Sequence, residues 1–296
     1  TIESEAFTLT NPTKKGYTFT GWSEGDSSDK QETVTIAQGT TGDKSYKANW
    51  SIDTYTITYD LDGGTNNVDN PSSYQVTDSD ITLKAPTKKG YTFEGWKLNG
   101  TGELLTTVTI SSGSTGNLSY TAIWKKVNYT VTFDSQGGSS VSETGADYQE
   151  TITKPEDPTK TGYTFDGWFK ESACTNAWNF DMDVVEETMT LYAKWTINEY
   201  TAIFNANGGE SVSPETIKKN YDEALGDLPT ATRIGHTFVG WYTKASGGDK
   251  ITKDTKMPAD GATYYAHWTV NQYTAKFDGN GGSNGADITA DFDSKL

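Results

Sequence analysis

Gly90-Tyr91-Thr92-Phe93-Glu94-Gly95-Trp96 is one of four occurrences of a single string, Gly-(Tyr/His)-Thr-Phe-x-Gly-Trp, whose final indoles fall at Trp22, Trp96, Trp168 and Trp241. The steps between them are 74, 72 and 73 residues. A second Trp closes Tyr/Leu-x-Ala-x-Trp at Trp50, Trp124, Trp195 and Trp268. A Gly-Gly pair returns at Gly63/Gly64, Gly137/Gly138, Gly208/Gly209 and Gly281/Gly282. Three markers on one period define a tandem array, in which a feature confined to one copy carries little weight as a site. The array reads as 1–50, a partial repeat lacking its opening strand; 51–124, 125–195 and 196–268, whole repeats; and 269–296, the opening strand and turn of a further copy.

Each copy opens on alternation, as in Tyr55-Thr-Ile57-Thr-Tyr59 and Tyr129-Thr-Val131-Thr-Phe133, where bulky and Thr residues take opposite faces of a half-buried strand. Asx residues and the Gly-Gly pair then supply a turn. Pro-Thr-Lys-x-Gly leads into the motif strand, where the Gly before the Trp predicts a bulge or a close backbone approach. The Tyr-x-Ala-x-Trp segment gives one more alternating strand. Only 214–225, with Ile217, Tyr221 and Leu225 four apart, and 181–188 hold a helical spacing, for a turn or two. The fold class is therefore mainly β with little helix.

Pro-Thr-Lys-x-Gly-Tyr-Thr-Phe-x-Gly-Trp, Tyr-Ala-Lys-Trp and Tyr-Thr-Val-Thr-Phe-Asp-x-x-Gly-Gly together resemble the Listeria-Bacteroides repeat, also called the internalin B-repeat. Residues 125–195 carry the fullest match, including Ala173-Cys174-Thr-Asn176-Ala-Trp178-Asn-Phe180. The resemblance covers essentially the whole chain. It implies tandem small β-grasp-like modules in secreted or cell-surface bacterial proteins, where they serve as stalks or spacers in adhesin-like chains. The fourth copy departs from the pattern with Arg233-Ile234 and His236 in place of Lys-x and Tyr.

Composition narrows the function. The chain has 296 residues, a net charge of -16 and 12% aromatic residues, including nine Trp. The acidity is spread, at -4, -6 and -2 over 51–124, 125–195 and 196–268. Such a surface repels phosphate backbones and anionic lipid, so no nucleic-acid partner is expected. No apolar run approaches a membrane span, so no membrane insertion is expected either. The single Cys174 forms no internal disulfide and reads as a small buried hydrophobe. His236 and His267 have no partner motif, and no phosphate loop, metal spacing or nucleophile elbow is present, so neither an enzyme nor a cofactor is expected.

The recurring aromatics Tyr17, Phe19, Trp22, Trp50, Tyr91, Phe93, Trp96, Trp124, Tyr163, Phe165, Trp168, Trp195, Phe238, Trp241 and Trp268 are assigned to module cores, because they recur in every copy at strand spacing. A sugar platform would have to use off-motif rings such as Phe169, Trp178 and Tyr242. Asp60, Asp62, Asn66 and Asp69 are spaced like a calcium loop but lack its closing bidentate Glu, and turn chemistry explains them better.

Only four residues separate each closing Trp from the next opening Tyr, and each such junction holds one β-branched apolar residue, Ile52, Val127, Ile197 or Val270. These are expected to wedge between neighbouring repeats and limit bending. Modules of about 29 Å diameter in series then give an elongated rod of roughly 110 Å. The function expected is a structural spacer, stalk or filament segment of an extracellular or surface-exposed bacterial protein, projecting or linking other domains. The alternative is an adhesin-type module that binds a host protein or glycan through variable loops such as 97–107, 169–180 and 242–250. The partners expected are the neighbouring repeats. Head-to-tail self-association through 269–296, with Tyr273 to Phe277 adding to the open edge of another molecule's first repeat, stands beside the simpler reading that these ends are fragment boundaries.

Overall fold

The computed structural model describes residues 4–283 and 285–294, and every regular element among them is a strand. The two segments with helical spacing are thereby corrected. Thr216–Asn220 pairs antiparallel with Glu199–Asn205, setting Ile217 opposite Ala202, while 181–188 holds turns and irregular backbone. Leu225 is buried at 2% exposure in the core, beyond the end of the strand. The four-residue spacing is therefore that of a strand followed by a turn, and an available sheet edge overrides a weak local helical pattern.

The described chain divides into two compact units. One runs to Tyr129 and takes in Ala146–Glu150 and Val184–Glu187. The other holds 130–145, 151–183 and the chain from Thr188 onward. In the first unit the second repeat is complete. Its sheet runs Ser73–Gln75, Thr54–Asp60, Leu118–Lys126, Tyr91–Leu98, Leu104–Leu105. In chain terms the first four are the second, opening, closing and motif strands. The closing strand is central, parallel to the opening strand and antiparallel to the motif strand. In the first repeat the closing strand Tyr46–Ile52 pairs with the motif strand Tyr17–Glu24, and a small pair, Phe7–Thr8 with Thr35–Ile36, lies beside it.

The second unit repeats this order. In the fourth repeat it is Thr216–Asn220, Glu199–Asn205, Ala262–Val270, His236–Tyr242. In the third, Val131–Asp134 lies parallel to Met189–Tyr192, and Tyr163–Phe169 flanks the same closing strand antiparallel. Each motif strand skips one residue in register just before its second Gly, which is the bulge the sequence predicts.

The core follows the alternation. Ile57, Trp96, Tyr120 and Ala122 face inward with Leu83, Val108 and Ile110 in the second repeat, and Ala202, Phe204, Trp241, Tyr264 and Ala266 do so with Leu225 and Met257 in the fourth. Thr58, Thr92 and Thr237 face out. The motif Phe stands edge-on to both indoles of its copy, with Phe93 at 5.2 Å from Trp96 and 5.5 Å from Trp124, and Phe238 at 5.4 and 5.5 Å from Trp241 and Trp268. Edge-to-face pairs of this kind add about 0.5–1.5 kcal/mol each beyond area burial, a useful increment for a unit of this size.

The Gly-Gly turn and the second Trp belong to one contact. The indole N–H of Trp124 donates to Leu61 O at 3.0 Å, that of Trp195 to Ser135 O at 2.8 Å and that of Trp268 to Ala206 O at 3.0 Å. The ring then packs against the second glycine. A Cβ on Gly64, Gly138 or Gly209 would stand 2.7, 2.5 or 2.7 Å from the indole Cζ2. This explains why the two markers share a period. Gly138→Ala is expected to cost about 2–3 kcal/mol by overpacking, read as a fall in the urea midpoint, whereas Ser140→Ala on the exposed side of the same turn stays within about 0.5 kcal/mol.

Candidate functional site

The recurring site is the junction between consecutive repeats. The closing strand does not stop at its Trp. It runs on to Ile52, Lys126, Ile197 or Val270, and the next opening strand begins at Thr54, Asn128, Glu199 or Gln272. A single residue, Asp53, Val127, Asn198 or Asn271, therefore links two strands. Its backbone N–H donates to the carbonyl of the glycine that precedes the motif strand: Asp53 to Gly16 at 3.0 Å, Val127 to Gly90 at 2.9 Å, Asn198 to Gly162 at 2.9 Å and Asn271 to Gly235 at 2.8 Å.

That glycine is also a notch. The residue after the second strand of the following repeat packs against it: Val76 on Gly16, Tyr148 on Gly90, Tyr221 on Gly162 and Phe292 on Gly235. A Cβ on these glycines would lie 2.6 Å from Val76 and 2.1 Å from each of the three rings. The glycines have φ of +76°, +75°, +78° and +70°, so the position is closed to other residues by strain as well as by space. Three of the seated residues also return a backbone bond, with N–H donated by Tyr148 to Val127 O, Tyr221 to Asn198 O and Phe292 to Asn271 O at 2.9, 2.9 and 2.8 Å. Their rings stand edge-on to the first residue of the motif strand, at 5.8 Å for Tyr91–Tyr148, 6.2 Å for Tyr163–Tyr221 and 6.2 Å for His236–Phe292.

A side-chain bond completes three of the four junctions. The hydroxyl of the motif Thr donates to the linking Asx: Thr18 to Asp53, Thr164 to Asn198 and Thr237 to Asn271, each at 2.6 Å. At the second junction Val127 holds that place and cannot accept. Ion pairs stand there instead, Lys89 with Glu186 at 2.9 Å and Lys126 with Glu150. The apolar junction residues are thus not equivalent, since Ile52, Ile197 and Val270 end closing strands and Val127 is the link itself. Ile52, Val127 and Val270 are half-buried, and Ile197 is 39% exposed.

The remaining candidates fall as follows. Trp96, Trp168 and Trp241 are buried. Trp22, Trp50, Trp124, Trp195 and Trp268 are half-buried, as are Tyr17, Phe19, Tyr91, Phe93, Tyr163, Phe165 and Phe238. Lys14, Lys88 and Lys160 cover Tyr17, Tyr91 and Tyr163 at 3.7, 4.3 and 4.6 Å. Phe169 and Trp178 are buried at 8% and 7% exposure and offer no platform, while Tyr242 is half-buried and stacks on His267 at 3.9 Å.

In the calcium-like stretch Asp60, Asp62 and Asn66 commit their side-chain oxygens locally, while Asp69 enters the turn through its backbone N–H, which donates to Asn67 Oδ1. Asp60 Oδ1 accepts from Asp62 N, Asn66 Oδ1 from Asn67 N and Asn70 Nδ2, and Asp62 pairs with Lys88. Among the described residues no group of three or more His, Cys, Asp or Glu is placed to hold a metal. Cys174 is half-buried, with Sγ 3.2 Å from Gln136 Nε2. In the last copy Tyr273, in the strand Gln272–Ala275, and Phe277, just beyond it, are exposed.

The described chain contains no helix long and apolar enough to cross a membrane. It matches the Listeria-Bacteroides repeat domain four times, over residues 1–48, 55–122, 129–194 and 200–267, and belongs to that family. A protein of Evansella cellulosilytica provisionally described as a Gly-rich membrane protein is 35% identical over 96% of this chain and 32% of its own length. A second from the same organism, provisionally a membrane protein, is 36% identical over 79% of this chain and 34% of its own. Internalin H of Listeria monocytogenes is 41% identical over 48% of this chain and 25% of its own. The chain spans about a third or less of these relatives. The repeat is thus found in proteins described as membrane proteins and in an internalin.

Sequence reasoning located the four junctions but picked their β-branched residues, of which only Val127 is a link, and it missed the glycine notch and its occupant. The signal was present: Val76, Tyr148, Tyr221 and Phe292 keep the array's period, at steps of 72, 73 and 71, inside stretches that otherwise diverge.

Gly162→Ala is expected to lower stability by about 2–4 kcal/mol, adding backbone strain to the clash with Tyr221. Gly113→Ala, at similar φ but with open space around it, is expected to lose the strain part alone, and paired urea melts read the difference. In the loop after the third motif strand, Glu171 Oε1 accepts from the Thr175 hydroxyl, the Asn176 and Thr175 amides and Asn176 Nδ2. These bonds, that of the Thr175 hydroxyl foremost, lower its pKa from 4.5 to about 2. A depressed carboxylate contributes fully above its unfolded value and loses that contribution as pH falls toward the folded one. Amide exchange at Thr175 and Asn176 is therefore expected to lose protection between pH 4.5 and about 2, and Glu171→Gln to abolish that step. EDTA or millimolar calcium is expected to leave the thermal melt unmoved.

Proposed function

We propose that this array is a non-catalytic spacer, a stalk or filament segment of a secreted or cell-surface bacterial protein that projects or links other domains. The observation that carries this is the junction itself. A single residue passes the chain from one sheet to the next, and that residue is tied by its N–H to the preceding repeat. A flexible linker would leave both ends free to swivel, whereas within each unit this connection supports a restricted hinge. Support for a surface setting comes from the relatives described as membrane proteins and from the internalin. Their greater length leaves room for the domains such a spacer would carry.

A second reading, capture of a host protein or glycan, rests on the fourth repeat. There Tyr242 and His267 stack within 11° of parallel beside the loop 243–250, a pairing the other copies lack. Loss of retention on immobilised glycans or host matrix proteins in Tyr242→Ala would favour that reading over a passive spacer.

The spacer is tested at the junction of the third and fourth repeats by inserting eight Gly/Ser residues after Asn198. Backbone relaxation of the two repeats is expected to report one shared tumbling time in the native chain and two independent ones after insertion. Independent tumbling already in the native chain would remove the reading.

A further inference from the structure

In all three complete repeats the opening and closing strands overlap over only part of their lengths, and the overlap has one sense. The end of the opening strand pairs with the start of the closing strand: Ile57 to Asp60 against Leu118 to Thr121, Val131 to Asp134 against Met189 to Tyr192, and Ala202 to Asn205 against Ala262 to Tyr265. The chain enters each repeat at the start of the opening strand, which lies outside the overlap with the closing strand, and leaves at the far end of the closing strand. Both strands point the same way. Tension on the chain therefore draws the opening strand backward and the closing strand forward along their common axis.

We propose that each complete repeat is a mechanical clamp, a lap joint whose parallel ladder carries tensile load in shear. The inference deepens the spacer reading by giving the array a load to bear. In shear every rung of the overlap is stressed at once, and the ladder yields only when all its bonds fail together. If the same strands are peeled apart sideways, the rungs fail one at a time. Forced unfolding is governed by the unfolding barrier and not by equilibrium stability, so loading direction changes the force while stability stays constant.

Side chains reinforce the overlap. Thr58 Oγ1 donates to Leu118 O at 3.3 Å, Thr132 Oγ1 to Met189 O at 3.3 Å, and the Thr132 and Thr190 hydroxyls lie 2.7 Å apart. The inner face of the lap is packed, with Ile57, Tyr120, Val131, Leu191, Ala202 and Tyr264 buried. The single-residue links leave little slack between one clamp and the next. Among the described residues of the first repeat, Tyr46–Ile52 has only its antiparallel motif strand as partner, so that copy supplies no clamp.

The test is single-molecule force spectroscopy on the full chain in a Cys174→Ser background, pulled in two directions. Pulled through its termini, the chain is expected to give three high-force events. Each releases roughly 70 residues, a contour gain of up to about 250 Å at ~3.6 Å per residue. Handles at Asp60→Cys and Thr121→Cys, directly opposed at the end of one lap, peel the second repeat instead, and its unfolding force is expected to fall at least about twofold. A second pair, Asn205→Cys with Tyr265→Cys, reads the fourth repeat in the same way. Equal forces in the two directions, or terminal pulling without three resolved events, would overturn the clamp. Either result would leave a passive spacer with shared tumbling of its repeats intact.

Discussion

The closing strand is the element on which the array depends, because it is the centre of one sheet and, one residue later, the start of the next. In the second repeat Leu118–Thr121 pairs with the opening strand on one side, and Tyr120–Lys126 pairs with the motif strand on the other. Its last residue delivers the chain to a link whose N–H is already committed to the preceding glycine. Within each unit, the same stretch of backbone thus completes one repeat and starts the next. The aromatic cluster stabilises that strand from the inside, with the motif Phe held between two indoles, and the Gly-Gly turn lets the second indole lie directly on the main chain.

The four junctions share a backbone but differ in chemistry. Three have a neutral or singly charged Asx bonded to the motif Thr, and the second replaces it with Val127 and two ion pairs. Partly exposed ion pairs are weak and screened by salt. The Gly90–Tyr148 contact and its two backbone bonds therefore hold the second junction, and the charges only adjust it.

Much of this was legible in the sequence. The period, the strand alternation, the bulge glycine and the inward-facing Trp at 96, 168 and 241 follow from residue type and spacing. The notch left only the faint signal of its occupants' period, because a glycine seated against a side chain looks in sequence like any turn glycine, and its partner lies in the next copy, about 58 residues on. The segment 214–225 misled because three apolar residues four apart fit a helix, yet they play three separate parts: Ile217 lies opposite Ala202 in the sheet, Tyr221 fills the notch and Leu225 enters the core. Val127 misled in a different way. Counting β-branched residues placed it with Ile52, Ile197 and Val270, whereas the register places it with Asp53, Asn198 and Asn271.

The single-residue link also restricts how such an array can change through descent. Because side chains alternate between faces, one residue gained or lost at the link would turn the following opening strand inside out, exposing its Tyr and Ile and burying its Thr. Gene-level slippage or recombination is compatible with this architecture only in whole copies, so lineages carrying it should vary in copy number while the spacing within each copy stays nearly constant.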